Sequence, residues 1–180
     1  MNFLRNELLK FSDDISRIAK ETFETYQEAA PTVLSLFYDK KAGDFSIASL
    51  GGLEEFFVSS EAKEDAAKII QRFNQNVKPI ATAFISESWM SVLSLEEEPT
   101  VSPSKDPNRK EILMIIFETF DTECVKMWEI VRNNGEVSLE DLDINSKGWV
   151  PKGATKGIFS DMLKENYDET AKKLAELNLN

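Results

Sequence analysis

Residues Ser86-Glu87-Ser88-Trp89 place a carboxylate in the middle of a long stretch that is otherwise rich in apolar side chains. A carboxylate is rarely buried unless it is paired with a cation or takes part in function. Because side chains alternate between the two faces of a strand, Glu87 shares a face with Trp89. Glu87 is therefore a metal ligand or general base beside Trp89, or it forms an internal ion pair with Arg109 or Arg132, or it emerges at the edge of the sheet.

Glu118 and Glu129 lie on the two strands of a predicted hairpin. With a two-residue turn, Phe117 faces Trp128, and the two glutamates become diagonal neighbours on one face. With Glu87 on an adjacent strand, the three carboxylates would form an oxygen site of the kind that Mg²⁺ or Mn²⁺ prefers. A slip of one residue in the register would turn Glu87 to the other face. We therefore expect no cofactor, with a Mg²⁺ or Mn²⁺ site at these carboxylates as the alternative.

The composition excludes several kinds of chemistry. The 180 residues include no histidine and one cysteine, Cys124. Ser-His-Asp and Cys-His catalysis, histidine-ligated metals and multi-cysteine zinc sites are therefore impossible within one chain. The formal net charge of −11 disfavours direct binding to nucleic acid or to an anionic membrane surface. We expect partners that are neutral, basic or cationic.

The chain also lacks the patterns of a secreted or membrane protein. Asn6, Glu7 and Lys10 interrupt the apolar stretch that a signal peptide needs. The longest purely apolar run, 112–117, is far shorter than the roughly 20 residues that span a bilayer. A lone cysteine is compatible with a reducing compartment. The expected location is the cytoplasm.

The periodicity of the first half predicts the elements that position these side chains. Apolar residues recur every three or four positions over residues 3–28, which predicts a long amphipathic helix. Residues 32–38 and 45–50 read as a hairpin around a polar turn. Ser59 or Ser60 caps a second helix that continues to the next proline.

The second half predicts most of the sheet. Residues 80–93 contain no Gly or Pro and many β-branched and aromatic side chains, which predicts a dominant central strand. A long loop over 94–109 leads to a second hairpin, formed by 110–121 and 124–132. A terminal helix is predicted over 158–177.

These elements predict an α+β fold with an antiparallel sheet of about five strands, in a single domain spanning residues 1–180. The strands of the second hairpin are largely apolar on both faces. Both faces must be covered, by helices on one side and by more protein or a second subunit on the other. We therefore expect a homo-oligomer.

One pattern links the central strand to the strand that follows it. It consists of Ser86-Glu87-x-Trp89, then Pro103, then Asp106-Pro107-x-Arg109-x-Glu111. The pattern resembles one found in small uncharacterised proteins of bacteria and phages, over about residues 80–132. The resemblance carries no activity, but it implies that Glu87, Trp89, Arg109 and Glu111 form one local constellation. An arginine at the start of one strand can fork onto a carboxylate of its neighbour with two hydrogen bonds, as a clamp.

Three functions remain open. The leading hypothesis is a non-catalytic cytoplasmic protein, phage-related by the resemblance, that binds another protein or itself. The alternative is a metal-dependent hydrolase or ligand-binding enzyme that uses Glu87, Glu118 and Glu129, with Arg109 as the clamp. The third is an acidic mimic of nucleic acid. The enzyme requires carboxylates that converge in a pocket, whereas the binding protein requires an exposed apolar patch or a subunit interface.

Overall fold

The structure is a computed structural model, and it describes residues 3–91, 103–142 and 148–152. Within these residues the chain forms two α-helices, seven strands and two short 3₁₀ helices, at Glu54–Phe57 and Pro103–Lys105. The helices are α1 (Phe3–Tyr26) and α2 (Ser60–Val77). The strands are β1 (Thr32–Asp39), β2 (Asp44–Leu50), β3 (Ala81–Met90), β4 (Lys110–Glu118), β5 (Thr122–Asn133), β6 (Glu136–Asp141) and β7 (Val150–Pro151).

All the strands pair antiparallel in one sheet, in the order β2-β1-β3-β4-β5-β6, with β7 added to β5. The α+β class is therefore confirmed. The strand predicted at 80–93 is β3, and it lies between β1 and β4, so its central position is also confirmed. Its first six residues are buried, and the burial ends at Glu87.

The sheet has more strands than the five or so that the sequence predicts. β6 follows the two-residue turn Asn134-Gly135, where both residues have positive φ, 51° and 87°. Such a turn is typical of a tight hairpin. In β6 only Val137 and Leu139 are half-buried and the other side chains are exposed. The strand is easily mistaken for a polar loop because its outward face is charged.

The register predicted for the β4–β5 hairpin is wrong. Phe117 lies opposite Cys124 rather than Trp128, because the chain reverses at Phe120-Asp121 instead of at the predicted Thr122-Glu123. Glu118 and Glu123 form the last pair before the turn. The Thr119 hydroxyl holds the turn by donating to Asp121 Oδ1 at 3.0 Å. The observed and predicted registers differ by an even number of residues, so each side chain stays on the face of the sheet that alternation predicts.

The two helices cover opposite faces of the sheet. α1 buries Phe11, Ile15, Ala19 and Phe23 against one face, whose core includes Ala83, Ile85, Leu113, Ile115, Phe117, Trp128 and Ile130. α2 buries Ala66 and Ile70 against the other face, with Val33, Leu53 and Phe84. Much of the cover that the apolar strands require therefore comes from the chain's own helices.

The helices begin and end at recognisable signals. Ser59 caps α2, where its hydroxyl accepts the Ala62 N–H at 3.1 Å. Neither described helix is both long and apolar enough to cross a membrane. The helix predicted over 158–177 and part of the predicted loop lie outside the described residues.

Candidate functional site

Five side chains gather where β3, β4 and β5 lie side by side, near the connection that follows α1. The four residues of the predicted constellation come together there, and Arg132 joins them. We call this group the strand-end cluster: Glu87, Trp89, Arg109, Glu111 and Arg132. Trp89 lies directly opposite Glu111 in the ladder, so both project from the face that α1 covers.

The fork that the sequence predicts is present, but a different arginine makes it. Arg132 donates from Nε to Glu111 Oε2 at 2.9 Å and from Nη2 to Glu111 Oε1 at 2.8 Å. Its Nη2 also lies 3.9 Å from Glu87 Oε2. The ion pair of Glu87 with Arg132, one of the alternatives for this carboxylate, is therefore formed.

Glu87 also ties the sheet to the end of α1. Its Oε1 accepts the Ala29 N–H at 2.6 Å. Burial raises the pKa of the Glu87 carboxyl above its ordinary value, and the charge of Glu111 adds to the rise, while the Ala29 N–H and Arg132 oppose it. The hydrogen bond from Arg132 instead holds the pKa of Glu111 below its ordinary value. Two adjacent carboxyls are thus shifted in opposite directions.

Arg109 packs on the ring of Trp89 instead of forking onto a carboxylate. Its guanidinium carbon lies 4.4 Å from the ring centre, in cation–π geometry. A turn places it there, because the Arg109 N–H donates to the Asp106 carbonyl at 3.2 Å and the Asn108 N–H donates to Asp106 Oδ1 at 2.8 Å. Trp89 remains 41% exposed. In place of the expected clamp, Arg109 therefore forms a cation–π pair with Trp89 that faces solvent.

The sheet separates the three carboxylates of the predicted metal site. Glu118 lies opposite Thr82, and Glu129 lies opposite Ile112. Because side chains alternate along a strand, these pairs project from the face of the sheet opposite to Glu87. Glu118 is buried in an ion pair with Lys152, and Glu129 Oε2 accepts from Lys110 Nζ at 2.5 Å. Within the described residues, no group of three His, Cys, Asp or Glu side chains could hold a metal ion.

A second surface was not predicted from the sequence. A groove of about 370 Å³ lies between α1 and β2. It is lined by Glu7, Lys10, Phe11, Asp14, Leu36, Phe45, Ser46 and Ile47. β2 is an edge strand, and Ile47 is 52% exposed on it. Residues 45–50 contain no charged side chain, and this is the sequence signal that could identify the edge.

The chain matches no protein-family model, no curated protein and no solved structure.

Proposed function

We propose that this chain is a cytoplasmic, non-catalytic protein that binds another protein through Trp89 and Arg109. The observation that carries the proposal is the exposed Trp89 ring with the Arg109 guanidinium 4.4 Å from its centre. Tryptophan and arginine are the residues that most often dominate the binding energy of protein interfaces. Together they present an exposed aromatic ring beside a positive charge.

The rest of the strand-end cluster gives this pair a rigid support. Trp89 is on a strand whose neighbour carries Glu111, and Glu111 is held by two hydrogen bonds from Arg132. Glu87 fixes the end of α1 through the Ala29 N–H. Side chains that are already ordered lose less conformational entropy on binding, so this support favours affinity.

The surroundings of the carboxylates support binding rather than catalysis. Glu87 and Glu111 are engaged by Arg132 and by the Ala29 N–H. The groove between α1 and β2 is not lined by any residue of the strand-end cluster. A general acid or base instead needs a carboxyl that reaches a substrate in a concave site. With a net charge of −11, the chain favours a partner with a basic surface around its contact.

Site-specific photo-crosslinking tests this function. A benzoylphenylalanine at Asn108, which is exposed and adjacent to Arg109, should give one discrete adduct in the cells that produce the protein. The matched control places the same group at Val58, which is 82% exposed and outside the cluster. The adduct should be lost in Trp89→Ala, and Trp89→Ala should weaken binding of the purified partner about tenfold or more. An adduct that survives Trp89→Ala would overturn the proposal.

A second experiment separates this function from the metal-dependent alternative. Thermal unfolding is compared with and without Mg²⁺, Mn²⁺ and Ca²⁺ for the wild type, Glu87→Gln and Glu118→Gln. A cation at 100 times its dissociation constant stabilises the protein by about 2.7 kcal/mol. We expect no shift of the midpoint. A shift in the wild type that the glutamine variants lose would favour the enzyme instead.

A further inference from the structure

The sheet formed by the described strands has two edges, and they are protected very differently. β6 forms one edge and carries Glu136, Glu140 and Asp141 among its six residues. β2 forms the other edge and has a single charged residue, Asp44, at its turn end. Charged side chains are a common means by which an edge strand avoids pairing with another chain. β2 lacks this protection.

The hydrogen bonds of β1 show which groups of β2 point outward. The Leu36 carbonyl accepts the Ile80 N–H at 2.7 Å, so the backbone polar groups of Leu36 face β3. Ile47 lies opposite Leu36 in the β1–β2 ladder. Ile47 therefore directs its own N–H and carbonyl away from β1, and by alternation Phe45 and Ser49 do the same.

We propose that two copies of this chain join through β2, antiparallel, with Ile47 opposite Ile47 of the second copy. The pairing would make one continuous sheet from the two molecules. This proposal does not depend on the function assigned to Trp89 and Arg109.

The register about Ile47 follows from self-complementarity. A two-fold axis at Ile47 places Phe45 opposite Ser49 of the other copy, so every outward-facing residue of the strand meets another. It also places Asp44 opposite Leu50, so no two like charges oppose each other. The Phe45 N–H already donates to Asp44 Oδ1 at 2.8 Å. The N–H groups that donate across the axis are therefore those of Ile47 and Ser49.

The side chain of Ile47 gives the contact its apolar centre. It is 52% exposed in one copy, at the rim of the groove that Phe11, Leu36 and Phe45 also line. In an antiparallel pair, directly opposed side chains approach within about 5.5 Å. Each Ile47 therefore covers the other, which removes a large exposed aliphatic residue from water.

Mass measurement with two edge variants tests the proposal. Light scattering should give a mass of twice 20.4 kDa for the wild type. Ile47→Lys opposes two like charges at the axis and should raise the dimer dissociation constant about a hundredfold or more. Ser49→Pro removes an outward N–H, a change that an edge strand tolerates, and should also weaken the dimer. Val58→Lys adds the same charge at another exposed apolar position and should leave the mass unchanged.

Cysteine cross-linking then tests the register. In Ile47→Cys the two Cα atoms lie about 5.5 Å apart across the axis, which is within the range that a disulfide bridges, and oxidised glutathione should give a covalent dimer. Ser49→Cys, two residues from the axis, should remain uncross-linked. Circular dichroism shows that each variant is folded. A monomeric wild type, a dimer that Ile47→Lys and Ser49→Pro leave intact, or cross-linking at Ser49→Cys alone would each overturn the proposal.

Discussion

Glu87 and Glu111 show how strongly local surroundings decide the behaviour of one residue type. The two carboxyls are neighbours on one face of the sheet, and Arg132 contacts both. Arg132 donates both hydrogen bonds of its fork to Glu111, and these lower the pKa of Glu111. The largest influence on the pKa of Glu87 is burial, which raises it. The pair therefore contributes to stability with opposite dependence on pH.

Replacing each carboxyl by an amide should reveal this opposition. As the pH rises above the ordinary glutamate pKa of about 4.3, Glu87 stays protonated in the folded protein to a higher pH than it does in the unfolded chain. Stability consequently falls as the pH rises through the raised pKa of Glu87, and Glu87→Gln removes that loss. Glu87→Gln should gain stability over the wild type as the pH rises, with no gain at low pH, since Gln still accepts the Ala29 N–H.

Glu111→Gln serves as the matched comparison. The pKa of Glu111 is lowered in the folded state, so its contribution is fully present above the ordinary value and is lost as the pH falls through the lowered pKa. Glu111→Gln should be less stable than the wild type at neutral pH, and the difference should shrink in acid. Urea unfolding between about pH 3 and pH 7.5 measures both. Differences of the same sign would contradict these assignments.

Arg132→Gln should destabilise the protein by about 1 kcal/mol. The Arg132 side chain is 44% exposed, which limits the ion pair, but its loss leaves two carboxyls side by side without their cation. Lys68→Gln is the control, since it breaks a pair with Asp65 in which both side chains are more than half exposed. Urea unfolding at neutral pH compares them. Equal losses would mean that Arg132 does not hold the strand-end cluster together.

At the scale of elements, α2 is fixed on the sheet by polar as well as apolar contacts. Ser35 Oγ donates to Asn74 Oδ1 at 2.8 Å and lies 3.2 Å from Thr82 Oγ1. All three residues are fully buried, between α2 and strands β1 and β3. A buried polar network of this kind stabilises only one placement of the helix, because any other would leave its members unpaired.

Asn74→Ala should therefore cost about 2 to 4 kcal/mol. The substitution removes the amide oxygen to which both hydroxyls are directed and leaves a cavity. Asn76→Ala is the control on the same helix, where an exposed amide donates to the Arg72 carbonyl at 3.0 Å, and its effect should stay within about 0.5 kcal/mol. Chemical denaturation measures the two variants. A loss below about 1 kcal/mol for Asn74→Ala would show that the network does not hold α2.

Most elements follow from the sequence, because they are encoded by periodicity and turn residues. The helix predicted over 3–28 is observed as Phe3–Tyr26, and both predicted hairpins form. The register of the β4–β5 hairpin does not follow, because it depends on how Thr119 closes the turn. Four of the five residues in the strand-end cluster follow from the sequence pattern, but the place of Arg132 at its centre and the roles within the cluster do not. Arg109 and Arg132 are equally able to fork onto a carboxylate, and only the paired strands determine which one reaches Glu111.

At the scale of the whole molecule, the net charge opposes the association of two copies that the β2 edge favours. Each copy carries a net charge of −11, so two copies repel, while the unprotected edge at β2 favours their association. The described acidic edge, β6, lies at the other end of the strand order. The repulsion is therefore a property of the whole surface, while the attraction is local, and salt should weaken the first far more than the second.

Added salt should consequently tighten the dimer. The screening length falls from about 30 Å at 0.01 M salt to about 10 Å at 0.1 M, which removes most repulsion between the two acidic surfaces. Backbone hydrogen bonds and the Ile47 contact are short-range and are not screened. Sedimentation equilibrium at low and high NaCl should give a dissociation constant that decreases with salt, while Ile47→Lys stays monomeric throughout. A dissociation constant that rises with salt would mean that opposite charges join the two copies, and the contact would then have to lie away from β2.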